Sequence, residues 1–264
     1  MADKTQHIIL KTEGLSIGYS SKKGPSIVAS NVNTNLYKGD LVGLIGANGI
    51  GKSTLLRTLT NVHSPLSGSI YINSINIKNY NAIDLAKVMS LVLTETMPSK
   101  NLTVYELVAL GRQPYTNWVG SLTNEDMNKV NESLRLTNIE NLKYKNCFEL
   151  SDGQLQKVMI ARALAQDTDL IILDEPTTHL DMYHKAYILK LLQRLVKETN
   201  KTILFSSHEI DLAIQLCDKL MVMTKEAVVS DTPCNLISNG TFKSLFPKDL
   251  ISFDEKTGSF RVKK

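Results

Sequence analysis

The sequence predicts an α/β fold: a largely parallel sheet, doubly wound by helices and interrupted by a helical insertion. Three observations predict it. A glycine-rich loop at 46–54 (GANGIGKST) sits between an apolar run at 41–45 and a helical pattern that begins near Lys52, which is the order strand, loop, helix. The runs LIIL at 170–173 and TILF at 202–205 each follow a helical segment, as parallel strands covered on both faces do. Between 99 and 146 the periodicity becomes helical and carries specific start signals.

Taken in order, residues 8–19 alternate irregularly and end in the turn-rich stretch SSKKGP, so they read as an edge strand and loop. Residues 27–36 read as a second strand, Lys38-Gly39-Asp40 as a turn, and 41–45 as the buried strand feeding the glycine loop. Short strands are expected at 69–72 and 88–93. The insertion opens on Thr103 and Glu106, a capping box with Leu102 and Leu107 as its hydrophobic staple, and a helix to about Leu110. Thr123-Asn124-Glu125-Asp126 starts another, with Met127, Val130 and Leu134 at helical spacing. Ser151 and Gln154 make a further capping box ahead of the apolar stripe Leu155, Val158, Met159 and Leu164. The tail is β-like at 220–223 and 227–230, and a hairpin is expected over 253–262 around Lys256-Thr257-Gly258.

Composition narrows the function classes only mildly. The chain has 264 residues, 42% hydrophobic and 21% charged, with a net charge of +4, ordinary for one large soluble α/β domain. Basic pairs occur at Lys22-Lys23 and Lys263-Lys264, without the interleaved aromatics of a nucleic-acid groove, so no nucleic-acid partner is expected. Cys147, Cys217 and Cys234 are widely spaced with no CxxC pair, as in reduced cytosolic thiols, and Cys217 falls in a helical core pattern. Polar residues in the first ten argue against a secretory leader, and no apolar run approaches the roughly 18 residues of a membrane span. A cytosolic protein is expected, whose membrane role would need a partner.

The 46–54 loop has the chemistry of a phosphate cradle. Gly46, Gly49 and Gly51 let the backbone aim successive N–H groups inward, with Asn48 among the nucleotide-binding residues of the loop, and the following helix adds its positive end. Lys52 would meet the β- and γ-phosphates, Ser53 would offer a hydroxyl to Mg²⁺, and Thr54 another to the nearer phosphates. The run at 170–173 ends in Asp174-Glu175-Pro176. Strand alternation separates the two carboxylates, so Asp174 can face Mg²⁺ while Glu175 faces a water in line with the γ-phosphate.

With LSDGQ at 150–154, between the phosphate loop and Asp174-Glu175, the chain resembles the nucleotide-binding subunits of ABC transporters over nearly its whole length. The resemblance implies a P-loop NTPase (RecA-like) core with an N-terminal antiparallel β subdomain and an inserted α-helical signature subdomain. It divides the single domain, 1–264, into a core at 1–96 and 156–264 and a helical subdomain at 97–155. It further implies an ATPase whose cofactors are ATP and Mg²⁺. Ser151, Gly153 and Gln154 then meet the nucleotide of the opposite protomer in a homodimer, and Asp181 of the THLD stretch couples the paired sites. Tyr19 is similar to the adenine-stacking aromatic and His208 to the histidine that contacts the γ-phosphate; Lys52 and Glu175 complete the catalytic set.

Two positions depart from the family pattern. Thr94, followed by Glu95, stands where the family places a glutamine, so Thr94 or Glu95 is expected as the remaining Mg²⁺ ligand. Asp152 replaces the second signature glycine, and repulsion from a triphosphate predicts that its side chain points outward. Residues 103–115 (TVYELVALGRQPY) resemble the pattern of ATPases powering iron–siderophore, haem and cobalamin importers. That implies an integral membrane permease, an external substrate-binding protein, and a place on the cytoplasmic face of the membrane. Arg112 and Tyr115, unexplained by helix capping, are expected to dock the permease. The rival is a soluble ABC ATPase without a permease; a P-loop kinase or GTPase would leave LSDGQ idle and lacks an NKxD motif.

Overall fold

The computed structural model describes residues 7–21, 24–93, 101–246, 249–255 and 257–262. In chain order these form β1 (Ile8–Tyr19), β2 (Ser26–Tyr37), β3 (Leu41–Gly46), α1 (Lys52–Leu59), β4 (Ser67–Ile72), β5 (Ile75–Asn76), α2 (Ala82–Val88) and β6 (Met89–Val92). Then come α3 (Val104–Ala109), α4 (Asn124–Leu136), α5 (Asp152–Ala165), β7 (Leu170–Leu173), α6 (Met182–Thr199), β8 (Thr202–Ser207) and α7 (Ile210–Leu216). The chain closes with β9 (Lys219–Met223), β10 (Val228–Asp231), α8 (Pro233–Ser238), β11 (Ile251–Asp254) and β12 (Ser259–Val262).

A six-stranded sheet of order β10-β9-β3-β8-β7-β6 forms the centre, parallel except for β10. Alternation along its strands builds two cores. Leu41, Ile45, Ile171, Leu173, Ile203 and Phe205 face the helices α3–α7, whereas Val42, Leu44, Leu170, Ile172 and Leu204 face α1 and a second sheet. That second sheet is antiparallel, of order β2-β1-β4-β5. The expectation of an edge strand at 8–19 is corrected: β1 is paired on both sides, and its irregular alternation reflects bulges against β2 and β4.

The helix starts form as their spacing predicts, with both arms of the capping box made at Thr103/Glu106, Thr123/Asp126 and Ser151/Gln154. Val130 and Leu134 are buried, but Met127 is 37% exposed and lies outside the stripe. Helix α5 buries Val158, Met159 and Leu164 of its predicted stripe, leaves Leu155 half-buried, and also encloses Ile160, Ala161, Ala163 and Ala165; it passes position 155 unbroken.

After α3 the chain winds through a 3₁₀ turn, Leu110–Tyr115, that crosses α5 closely. A Cβ at Gly111 would lie 2.2 Å from the Arg162 carbonyl oxygen, so only glycine fits there. Arg112 corrects a second expectation: it is 4% exposed and cannot dock a partner. Its Nε donates to Asp126 Oδ1 at 2.8 Å, a terminal nitrogen donates to the Ala165 carbonyl at 2.9 Å, and the guanidinium lies 3.9 Å from the Tyr115 ring centroid. A buried guanidinium needs a paired carboxylate, and the N3 residue of α4 supplies it. No described helix is long and apolar enough to cross a membrane.

Candidate nucleotide site

Strand adjacency assembles the site. β3 and β7 flank β8, and Ile45 pairs with Ser207 while Leu173 pairs with Phe205. The residues one step beyond these pairs, the glycine loop, His208, Asp174 and Ser206, therefore converge at the carboxyl edge of the sheet.

The loop presents an uncapped helix end. Gly51 stands at the N-cap of α1 with φ 114°, makes no side-chain cap, and the first turn carries no acidic residue. Gly49 also has positive φ, and a Cβ at Gly51 would meet Val28 Cγ1 at 2.1 Å. By contrast, α3, α4 and α5 are capped by their own side chains; α1 leaves its N–H groups for an anion. Lys52 is buried across the loop, its Nζ donating to the carbonyls of Gly46 at 3.1 Å and Ala47 at 3.3 Å. Burial pushes its ammonium below the usual lysine range, while Glu175 and Asp174 pull it back up.

His208 joins Lys52 to Glu175. Nδ1 lies 3.3 Å from Lys52 Nζ and Nε2 lies 2.6 Å from Glu175 Oε1. Because an ammonium only donates, Nδ1 accepts and Nε2–H donates to the carboxylate. Glu175 Oε2 accepts from Thr178 Oγ1 at 3.1 Å, and the Glu175 backbone is left-handed, φ 48°. A non-glycine residue held in that region at a strand end carries strain of the kind that gathers at functional sites.

Asp174 is buried, and its Oδ1 accepts from Ser53 Oγ at 3.1 Å and from Ser206 Oγ at 2.7 Å. Ser206 Oγ in turn accepts the Glu175 N–H at 2.8 Å, so one hydroxyl positions both carboxylate residues. Ser206 carries only a faint signal in the sequence, a polar residue directly after the apolar run 202–205. A serine hydroxyl beside one carboxylate is a hard-oxygen set that fits Mg²⁺, which keeps waters and takes further oxygens from phosphates. Among the described residues no group of three His, Cys, Asp or Glu could hold a metal alone. Thr94 and Glu95 lie outside the described residues.

Tyr19 stands at the rim, 48% exposed, its hydroxyl 2.9 Å from Thr54 Oγ1 and its ring edge-on to His63. The predicted signature residues lie apart. Ser151 is exposed and exchanges hydrogen bonds with Gln154, Asp152 is exposed beside it, and Gly153 is buried. Asp181 caps α6, accepting the His184 N–H at 2.8 Å.

The ABC transporter sequence profile matches residues 29–178. The chain belongs to the ABC transporter family. This ABC protein is 40% identical over 256 residues, 97% of the chain and 87% of the relative, to an uncharacterised ABC transporter ATP-binding protein of Methanocaldococcus jannaschii. It is 36% identical over 241 residues, 91% of the chain and 88% of the relative, to an iron(3+)-hydroxamate import ATP-binding protein of Bacillus subtilis. Among solved structures, it superposes on a metal-chelate type ABC transporter in an inward-facing conformation with TM-score 0.78 and 27% identity, covering 96% of this chain and 95% of that one. A dimeric ATP-binding cassette in a post-hydrolysis state with ADP and Pi gives TM-score 0.72 and 27% identity, covering 85% and 98%. The ABC protein has the P-loop NTPase fold with an antiparallel β subdomain, binds ATP and is an ATPase. Its relatives are transporter subunits, which favours the transport reading over a soluble ABC ATPase.

Proposed function

We propose that this ATPase energises import of a metal chelate of the iron–siderophore, haem or cobalamin type, working as a homodimer under an integral membrane permease. The import names of relatives and the resemblance at 103–115 support the cargo class. One observation carries the catalytic reading: Lys52, His208, Glu175, Ser206 and Asp174 form a continuous chain of contacts at an uncapped helix N-terminus.

Lys52 and the N–H groups of 46–54 hold the β- and γ-phosphates, Ser53 and Asp174 hold Mg²⁺ with Thr94 or Glu95 as a further oxygen ligand, and Tyr19 stacks on adenine. The bound Mg²⁺ neutralises charge developing on the phosphates. Glu175 takes the proton of the attacking water as oxygen bonds to the γ-phosphorus and the bond to the ADP oxygen breaks; the His208 Nε2–H that holds Glu175 would turn to a γ-phosphate oxygen when ATP is bound. Ser151, exposed at the start of α5, with Gly153 and Gln154 behind it, completes the partner's site, with Asp181 between the two. ATP therefore shifts the pair toward closure by binding the closed form more tightly.

The helical unit, 97–155, is assigned to the permease. An apolar groove of about 400 Å³ between Tyr105, Ala109, Leu110, Gln113 and Leu122 and a fully exposed Trp118 in the same segment support that assignment. A permease and its external binding protein would place the subunit on the cytoplasmic face of the membrane. Purification of the tagged chain from native membranes in detergent tests the proposal, with identification of the co-purifying integral protein and ATP-driven uptake of a ferric hydroxamate in vesicles. Exclusive recovery with ribosomes or DNA would overturn it.

A further inference from the structure

We infer that His184 is a positioning residue that ties the Asp181 turn to the amino end of the signature helix α5, so that both reach the partner's nucleotide as one body. The inference rests on the paired-site reading above.

His184 sits in the first turn of α6 between two predicted site residues. Its backbone N–H already satisfies the Asp181 cap at 2.8 Å, which any residue at 184 could do. The imidazole adds a second tie: Nδ1 lies 2.9 and 3.0 Å from the two Asp181 carboxylate oxygens. The ring's other edge packs on α5. A Cβ built at Gly153 would lie 3.0 Å from His184 Cδ2, 3.6 Å from Cγ and 3.7 Å from Nε2. Gly153 is helical, with φ outside the left-handed region, so its backbone conformation does not call for glycine. Space beside it is tight instead: a Cβ there would press on the half-exposed imidazole, which must give by a few tenths of an ångström. Tyr183 braces the ring edge-on, with centroids 5.4 Å apart. The imidazole bonded to the Asp181 carboxylate thus also stands where a side chain at Gly153 would meet it, between the Asp181 turn and the start of α5.

A purely capping role makes His184→Ala silent, because the backbone donor remains. A positioning role makes it costly and makes His184→Asn, whose amide can still donate to Asp181, close to the parent. The test uses the full chain carrying Glu175→Gln, with ATP-dependent dimerisation followed by gel filtration and steady-state hydrolysis measured without that substitution. His184→Ala should raise the ATP concentration for half-maximal dimerisation about five-fold and lower kcat, with ATP binding to the monomer and the melting temperature unchanged. His184→Asn should restore dimerisation to within about two-fold. Gly153→Ala should impair the parent but add little in the His184→Ala chain, because contacting residues are non-additive.

Parent-like dimerisation of His184→Ala, an equal Gly153→Ala defect in both backgrounds, or a matching fall in melting temperature would each overturn the inference. Ser151→Arg keeps the two readings apart. If it leaves the dimer intact, the paired-site reading falls and this one with it; if it blocks the dimer while His184→Ala is silent, only the His184 inference falls.

Discussion

Arg112 separates a docking residue from an internal staple, and Arg112→Ala decides between them in the isolated subunit. The substitution removes a buried charge-assisted bond to Asp126, a bond to the Ala165 carbonyl, and the cation stacked on Tyr115. Stripping one partner from a buried ion pair costs about 3–5 kcal/mol. Asp126 keeps the Thr123 hydroxyl, at 2.7 Å, and the Thr123 N–H, at 2.9 Å, so the lower end applies, about 3 kcal/mol. In a chain of this size that corresponds to a fall of about 6–12 °C in melting temperature. Denaturant unfolding of the subunit without any permease should show the loss directly, at constant slope. A cycle with Asp126→Asn should give a coupling energy of at least about 1 kcal/mol. An unchanged melting temperature with lost permease assembly would refute the buried-staple account and restore Arg112 to the surface.

The remaining predictions concern the site and the ion pairs around Asp167. Ser206→Ala should leave ATP binding within about two-fold but lower kcat by roughly 10–100-fold, since a buried N–H and carboxylate oxygen lose their shared partner at about 1–3 kcal/mol; single-turnover hydrolysis reads it. Glu175→Gln should form a stable dimer in gel filtration with ATP and not with ADP; retention of dimers with ADP would contradict γ-phosphate-driven closure. Burial alone would raise the Asp167 carboxyl, but Lys129 at 2.7 Å and Lys201 at 2.8 Å outweigh it and hold the pKa at about 2. A lowered folded-state pKa adds stability that is complete above the unfolded value near 4 and disappears as pH falls toward 2. Because that side chain is 36% exposed, solvent screening reduces the contribution to about 1 kcal/mol; Asp167→Asn should flatten this limb of a pH–stability curve by that amount.

What the sequence by itself determined is the chemistry contained within one turn or one strand. The capping boxes at Thr103/Glu106 and Ser151/Gln154 and the helix start at 123–126 each span residues three apart, and helix geometry brings such pairs together whatever the rest of the chain does. The phosphate loop was legible for the same reason, since its glycines, Lys52 and Ser53 are local to one strand–helix junction. Apolar runs likewise identified 170–173 and 202–205 as buried strands. They did not say which strand lies beside which.

That ordering is what only the tertiary structure decided. Ser206 reaches Asp174 across 32 positions because β8 lies between β3 and β7 in register, and no one-dimensional period encodes a neighbour on another strand. β1 reads as an edge strand from its irregular alternation, yet bulges allow pairing on both sides. The GRQPY stretch reads as a docking motif because helix capping leaves its Arg112 and Tyr115 unexplained. Asp126 and Ala165 become the partners of Arg112 only when α3, α4 and α5 pack, and burial then obliges the guanidinium to be paired rather than offered to another protein.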